Sequence, residues 1–147
     1  MKRSRISKFT TLFVALAFAA IAASSVHAAE KVTINATLII GSNDGGGVDA
    51  PLRQYEKNLK RVLPFDTFKR QGGGRASIYV PGRGSIGLGG GQNVGVSAES
   101  AGEGRYRISA QWKRGNQTMV NTTVVASKNR PTVLVGGGQY ILILIAN

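Results

Sequence analysis

Beyond residue 30 the hydrophobic and polar residues alternate with a period of two, in short runs separated by glycine-rich breaks. That is the pattern of strands with one face buried. The first run, 32–40, places Val32, Ile34, Ala36 and Leu38 on one face and ends in an apolar pair, so it predicts a strand packed well into its sheet. The loop from Gly41 through Gly45-Gly46-Gly47 closes it. After Gly72-Gly73-Gly74, read as a break, further strands are predicted at 75–80, 84–88, 92–98, 104–113, 117–127, 132–135 and 140–146. Gly115-Asn116 between two of these runs suits a two-residue hairpin turn. Alternation in the preceding run sends Tyr106, Ile108 and Trp112 toward the core and Arg105, Arg107 and Lys113 toward solvent.

The period changes once. From Asp49 the apolar residues Leu52, Tyr55, Leu59 and Val62 recur at helical spacing, with Asp49 as N-cap, Pro51 in the first turn and Pro64 as the stop. Arg53, Glu56, Lys57, Lys60 and Arg61 fall on the outer face of this helix, with Glu56 placed four residues before Lys60. Phe65 and Phe68 follow where a helix returning to a sheet needs bulky anchors, and are read as core. Tyr140-Ile141-Leu142-Ile143-Leu144-Ile145-Ala146 carries no charge and no alternation, as expected of a central strand covered on both faces by the helix and a second sheet. Strand addition to a partner protein is the other use for such a run. The fold class read from these patterns is mainly β: a β-sandwich-like domain of about eight strands with one short helix after the first strand.

The start of the chain reads differently. Lys2, Arg3, Arg5 and Lys8 precede an apolar stretch from Phe9 to Ala23, and Val26 and Ala28 supply small residues before a cleavage point. This predicts a signal peptide over 1–28, cleaved between Ala28 and Ala29, leaving a single β-rich domain over 29–147. The apolar stretch falls short of the roughly 20 residues a spanning helix needs, so no transmembrane segment is expected after cleavage. The predicted location is periplasm, cell surface or medium.

Cleavage removes the chain's one histidine, His27, and the sequence contains no cysteine. Histidine- or cysteine-based nucleophilic catalysis, thiolate or imidazole metal sites and disulfides are thereby excluded from the expected domain. Gly82-Arg83-Gly84-Ser85-Ile86-Gly87 has the letters of a dinucleotide fingerprint, but a strand follows it where a helix is required, so no cofactor is expected. The stretch Asp44–Asp49 has too few oxygen donors for a calcium loop, and no metal site is expected. Nothing in the spacing of Asp44, Asp49, Glu56, Asp66, Glu99 and Glu103 selects a pair of carboxylates for glycoside chemistry.

Charge adds one element. Losing four cations takes the net charge from +12 to +8, and a basic exported domain attracts anionic polymers and surfaces. The candidate contacts with an anionic partner are Arg53, Lys57, Lys60, Arg61, Arg105, Arg107 and Lys113. Tyr79, Tyr106, Trp112 and Tyr140 with Arg75, Arg83, Arg105, Arg107, Lys113 and Arg114 could form an aromatic and basic surface, but the period-two pattern assigns Tyr106, Trp112 and Tyr140 to packing. The resulting expectation is a non-catalytic interaction or structural module of the bacterial cell envelope, binding an anionic component or an envelope protein. The alternative is a carboxylate-dependent hydrolase or lyase acting on an anionic polysaccharide.

The segments Val120-Asn121-Thr122-Thr123-Val124-Val125, Arg130-Pro131-Thr132-Val133-Leu134-Val135-Gly136-Gly137 and Ile141-Leu142-Ile143-Leu144-Ile145-Ala146, with Arg61-Val62-Leu63-Pro64-Phe65-Asp66-Thr67-Phe68, resemble small exported bacterial β-rich proteins of unassigned function. Thr132-Val133-Leu134-Val135-Gly136-Gly137 is also similar to the strand endings of outer-membrane secretins, which implies an accessory role in an envelope or secretion system. Neither resemblance transfers catalytic residues.

Overall fold

The computed structural model describes residues 29–147; the export segment read over 1–28 and its cleavage point lie outside the described residues. Eight strands form two antiparallel four-stranded sheets: β1 (Glu30–Ser42), β2 (Thr67–Val80), β3 (Gly82–Gly89), β4 (Gln92–Ser100), β5 (Arg105–Arg114), β6 (Gln117–Ser127), β7 (Pro131–Val135) and β8 (Tyr140–Ala146). Sheet A runs β2-β1-β8-β7 and sheet B runs β3-β4-β5-β6. Because β8 returns to pair with β1, each strand lies beside its neighbours in sequence. The chain is thus a meander folded into a sandwich, with seams at β2/β3 and β6/β7.

Side-chain alternation fills the space between the sheets. Val32, Ile34, Ala36 and Leu38 of β1 and Leu142 and Leu144 of β8 meet Val94, Val96, Ile108 and Trp112 of sheet B, all buried. The Trp112 indole N–H donates to Gln92 Oε1 at 2.9 Å, so the two polar groups buried here satisfy each other. Tyr106 is buried in the same core, and its hydroxyl donates to the Glu30 carboxylate. That hydrogen bond, reinforced by burial, raises the Tyr106 pKa above its ordinary value.

A second core lies on the opposite face of sheet A. Ile39, Phe68, Ile141 and Ile143 pack there beneath Leu52, Leu59 and Leu63. β8 is therefore covered on both faces and paired on both edges, by β1 and β7, as its unbroken apolar sequence predicts. That pairing leaves β8 no edge for a partner's strand.

Four expectations are corrected in detail. The helical segment is a 3₁₀ turn, Ala50–Tyr55, running into α1, Glu56–Val62. Asp49 holds the N-cap position but makes no capping bond. Its Oδ2 instead accepts the Arg70 N–H at 2.8 Å, tying the turn to β2. On α1, Val62 is exposed and Leu63 is buried in its place, because the chain becomes extended at Leu63 and turns its side chain back to the sheet. Phe68 is fully buried, whereas Phe65 is half-buried over Gly41, edge-on to Phe68 with centroids 6.4 Å apart.

The largest departure concerns Gly72-Gly73-Gly74, which lie inside β2 and continue its pairing with β1. A Cβ at Gly74 would stand 2.7 Å from the Gly87 carbonyl oxygen, and one at Gly72 would overlap the Leu88 carbonyl. The glycines do not interrupt the strand; they let β2 and β3 close one side of the sandwich backbone to backbone.

Candidate binding face

The seven cations singled out in the sequence occupy two separate surfaces. Arg53, Lys57, Lys60 and Arg61 surround a shallow depression on the helical segment, with Glu56 among them. Lys60 Nζ lies 2.7 Å from Glu56 Oε1, an exposed pair one helical turn apart. Arg105, Arg107 and Lys113 belong to β5, on the outer face of sheet B. Sheet A and the core between the sheets separate the two groups, so the seven candidate contacts fall on two faces on opposite sides of the molecule.

These two faces differ in construction. The helical segment covers the outer side of sheet A, and the cations it presents are long side chains ringing its depression, with a carboxylate among them. No described element covers the outer side of sheet B. Register builds that side in rows across the strands. One row reads Arg83, Ser97, Ser109 and Thr123, and the next reads Ser85, Gly95, Gln111 and Asn121. A row beyond the first pairs Glu99, Arg107 and Val125.

Small side chains in the middle of these rows leave a shallow trough of about 360 Å³. Arg83, Gly95, Ser97, Ser109, Gln111 and Asn121 line it, and a Cβ at Gly95 would meet only the Gln111 carbonyl, at 4.0 Å. The lining offers hydroxyl, amide and guanidinium groups, which bind hydroxylated and anionic groups and supply no nucleophile activated by a base. Ser109 and Thr123 hydroxyls are already 2.8 Å apart, which fixes the floor across β5 and β6. Arg107 reaches Glu99 at 3.7 Å, but both are exposed and the pair is loose, so the guanidinium remains open to a ligand.

Gln111 and Asn121 are not among the candidates read from the sequence, and Arg83 enters there only as one cation of the aromatic surface. Parity along β5 was a usable sign for Gln111, which shares the outer face with Arg107. Arg83 lies within the glycine motif, just ahead of the run read as a strand at 84–88, and the strand itself begins at Gly82.

No carboxylate lines the trough, and Glu56 alone lines the helical depression. Asp44 accepts the Gly46 N–H at 3.0 Å, and this backbone bond, with the Thr67 and Ser42 hydroxyls, lowers its pKa. Asp49 is lowered chiefly by the Arg70 N–H and further by Lys69, whose Nζ lies 3.3 Å away. Asp66 accepts the Thr67 hydroxyl at 2.7 Å. Among the described residues no three His, Cys, Asp or Glu side chains group as a metal site would require. The aromatic residues give no platform either: Trp112 and Tyr106 are buried, Arg114 stacks on half-buried Tyr140, and Tyr79 stands alone with Lys31 over its ring.

No helix among the described residues is long and apolar enough to cross a membrane. Compared with family models, curated proteins and solved structures, the chain matches none, so the resemblances drawn from its strand endings gain no support there.

Proposed function

We propose that this protein is an exported, non-catalytic module of the bacterial cell envelope whose outer sheet B face binds an extended anionic polysaccharide. The observation that carries this reading is the uncovered trough, where Arg83 stands beside the polar side chains of Ser97, Ser109, Gln111 and Asn121, with Arg105 and Arg107 beyond it. A rigid sheet presents these groups at fixed spacing, so little side-chain order is lost when a regular chain lies across them. Guanidinium groups bind uronic carboxylates in fork geometry, while amides and hydroxyls take the sugar hydroxyls. Excess positive charge raises the local concentration of such a polymer, which makes the binding dependent on salt.

Polygalacturonate serves as the probe, and its affinity is read by isothermal titration at low and at physiological salt. Arg83→Ala with Arg107→Ala is expected to weaken binding by about tenfold or more, as removal of charge-assisted hydrogen bonds does. Lys57→Ala with Lys60→Ala removes equal charge from the opposite surface and is expected to change affinity less than about threefold, a matter of general attraction. Equal losses from the two pairs would sink the assignment to sheet B.

A further inference from the structure

The sandwich has four edge strands, and they are protected unequally. β2 and β3 close on each other across the glycine seam. β7 is only five residues long and opens with Pro131, which has no N–H to offer a neighbour. β6 has neither safeguard. It runs eleven residues, Gln117–Ser127, with no charge and no proline, and among the described residues only β5 pairs with it.

The side of the sandwich behind β6 is also incompletely closed. Met119, Val120 and Val124 pack against the core but are only partly buried. Natural edges of this length normally carry a lysine, a proline or a covering loop, because unpaired backbone groups recruit another strand. Here the cations stop at Arg114 before the strand and resume at Lys128 after it.

The sequence of β6 also fits itself in reverse. Centred on Thr122, an antiparallel copy sets Val120 opposite Val124 of the other chain, Asn121 opposite Thr123, and Thr122 opposite its own equivalent. This register preserves the faces from Val120 to Val124, short of the bulge that turns Met119 inward. Val120, Thr122 and Val124 pair across β5 with Trp112, Ala110 and Ile108, the core side, whereas Asn121 and Thr123 pair with Gln111 and Ser109, the trough side. Opposed β-branched residues and opposed threonines are favourable cross-strand partners.

We infer that β6 is a self-association edge, pairing antiparallel about Thr122 with β6 of a second copy of this chain and merging the two B sheets into one. A second copy is the fitting occupant for two reasons. The strip is uncharged on a strongly basic protein, so two copies meet there without opposing cations. The five central residues, Val120 to Val124, are also complementary to themselves in this register, with β-branched side chains and threonines set against each other. The contact is isologous and closes as a two-fold dimer without leaving a β6 edge free to grow a fibre. This inference stands independently of polysaccharide binding, although merging the sheets would join two troughs side by side.

The test uses the protein purified from the compartment in which its host keeps it. Sedimentation equilibrium from micromolar to submillimolar concentration is expected to show a reversible shift from one to two chain masses. Thr123→Lys with Val125→Lys places charges on two exposed outer positions of β6 and is expected to leave the circular dichroism spectrum unchanged and the mass at one chain. Thr122→Cys supplies the sole thiol of the chain and is expected to crosslink two copies under a mild oxidant, whereas Ser85→Cys on β3 does not. A single chain mass throughout the range would overturn the proposal. So would a dimer that survives the two lysines while Thr122→Cys fails to crosslink.

Discussion

Trp112 and Gln92 show how much a single pairing decides. The indole ring fills the centre of the sandwich, and its N–H has one partner, the Gln92 amide oxygen. Trp112→Phe removes the donor and leaves that amide buried without it, so the variant is expected to lose about 1–3 kcal/mol in urea unfolding, before any cost of lost volume. Alternation made the inward direction of Trp112 legible in the sequence, but its partner was not, since Gln92 reads there as an ordinary polar strand residue. Asp49 illustrates the same limit. Its position at the start of the helical segment was legible, whereas the Arg70 N–H that it accepts depends on a contact 21 residues away. Because that bond depresses the folded-state pKa, Asp49 contributes stability that is present above its ordinary value of 3.8 and is lost as pH falls through the lowered folded value. Asp49→Asn is expected to flatten the acid limb of the stability profile in that window and to leave the profile near pH 9 flat, a comparison made by denaturant titration across pH.

Among the elements, the strands followed from the sequence because period two survives in them nearly unbroken. β1 and β5 are the clearest cases, whereas β8 followed from its unbroken apolar run. What the alternation does not carry is which edge of one strand meets which edge of another. The glycine triplet in β2 reads as a break for that reason: in a linear sequence three glycines mark a turn as well as a close approach of two backbones. The seam reading makes its own prediction. Gly72→Ala drives a Cβ into the Leu88 carbonyl, which is backbone and cannot rotate away, and is expected to destabilise the domain by about 1–3 kcal/mol in thermal or denaturant unfolding. A neutral result would mean that β2 and β3 do not approach so closely. The helix was legible from its spacing of apolar residues, although the 3₁₀ start and the exchange of Val62 for Leu63 were not. Both follow from the way the chain leaves the helix at Leu63 to reach β2, which is a property of the sheet it joins.

At the scale of the whole molecule, the layers explain why charge alone misled the sequence reading of the candidate site. Cations of the helical segment and of β5 share one list by composition, yet three layers, helix on sheet A on sheet B, set them on opposite surfaces. Only the sheet B group stands beside a trough with hydrogen-bonding groups at fixed spacing. The rows that build the trough are cross-strand register, which depends on the glycine turn between β5 and β6 and the bulge near Lys113, where Trp112 faces Val120 and Lys113 faces Thr118. The central claim is that this face, and not the helix, receives an extended polyanion. Its most direct test is a map of backbone amide shifts on isotope-labelled protein during titration with oligogalacturonate at physiological salt. The account predicts saturable shifts concentrated on Arg83, Ser97, Ser109, Gln111 and Asn121, with α1 silent. Shifts centred on Lys57, Lys60 and Arg61, or no saturable shifts at all, would contradict it.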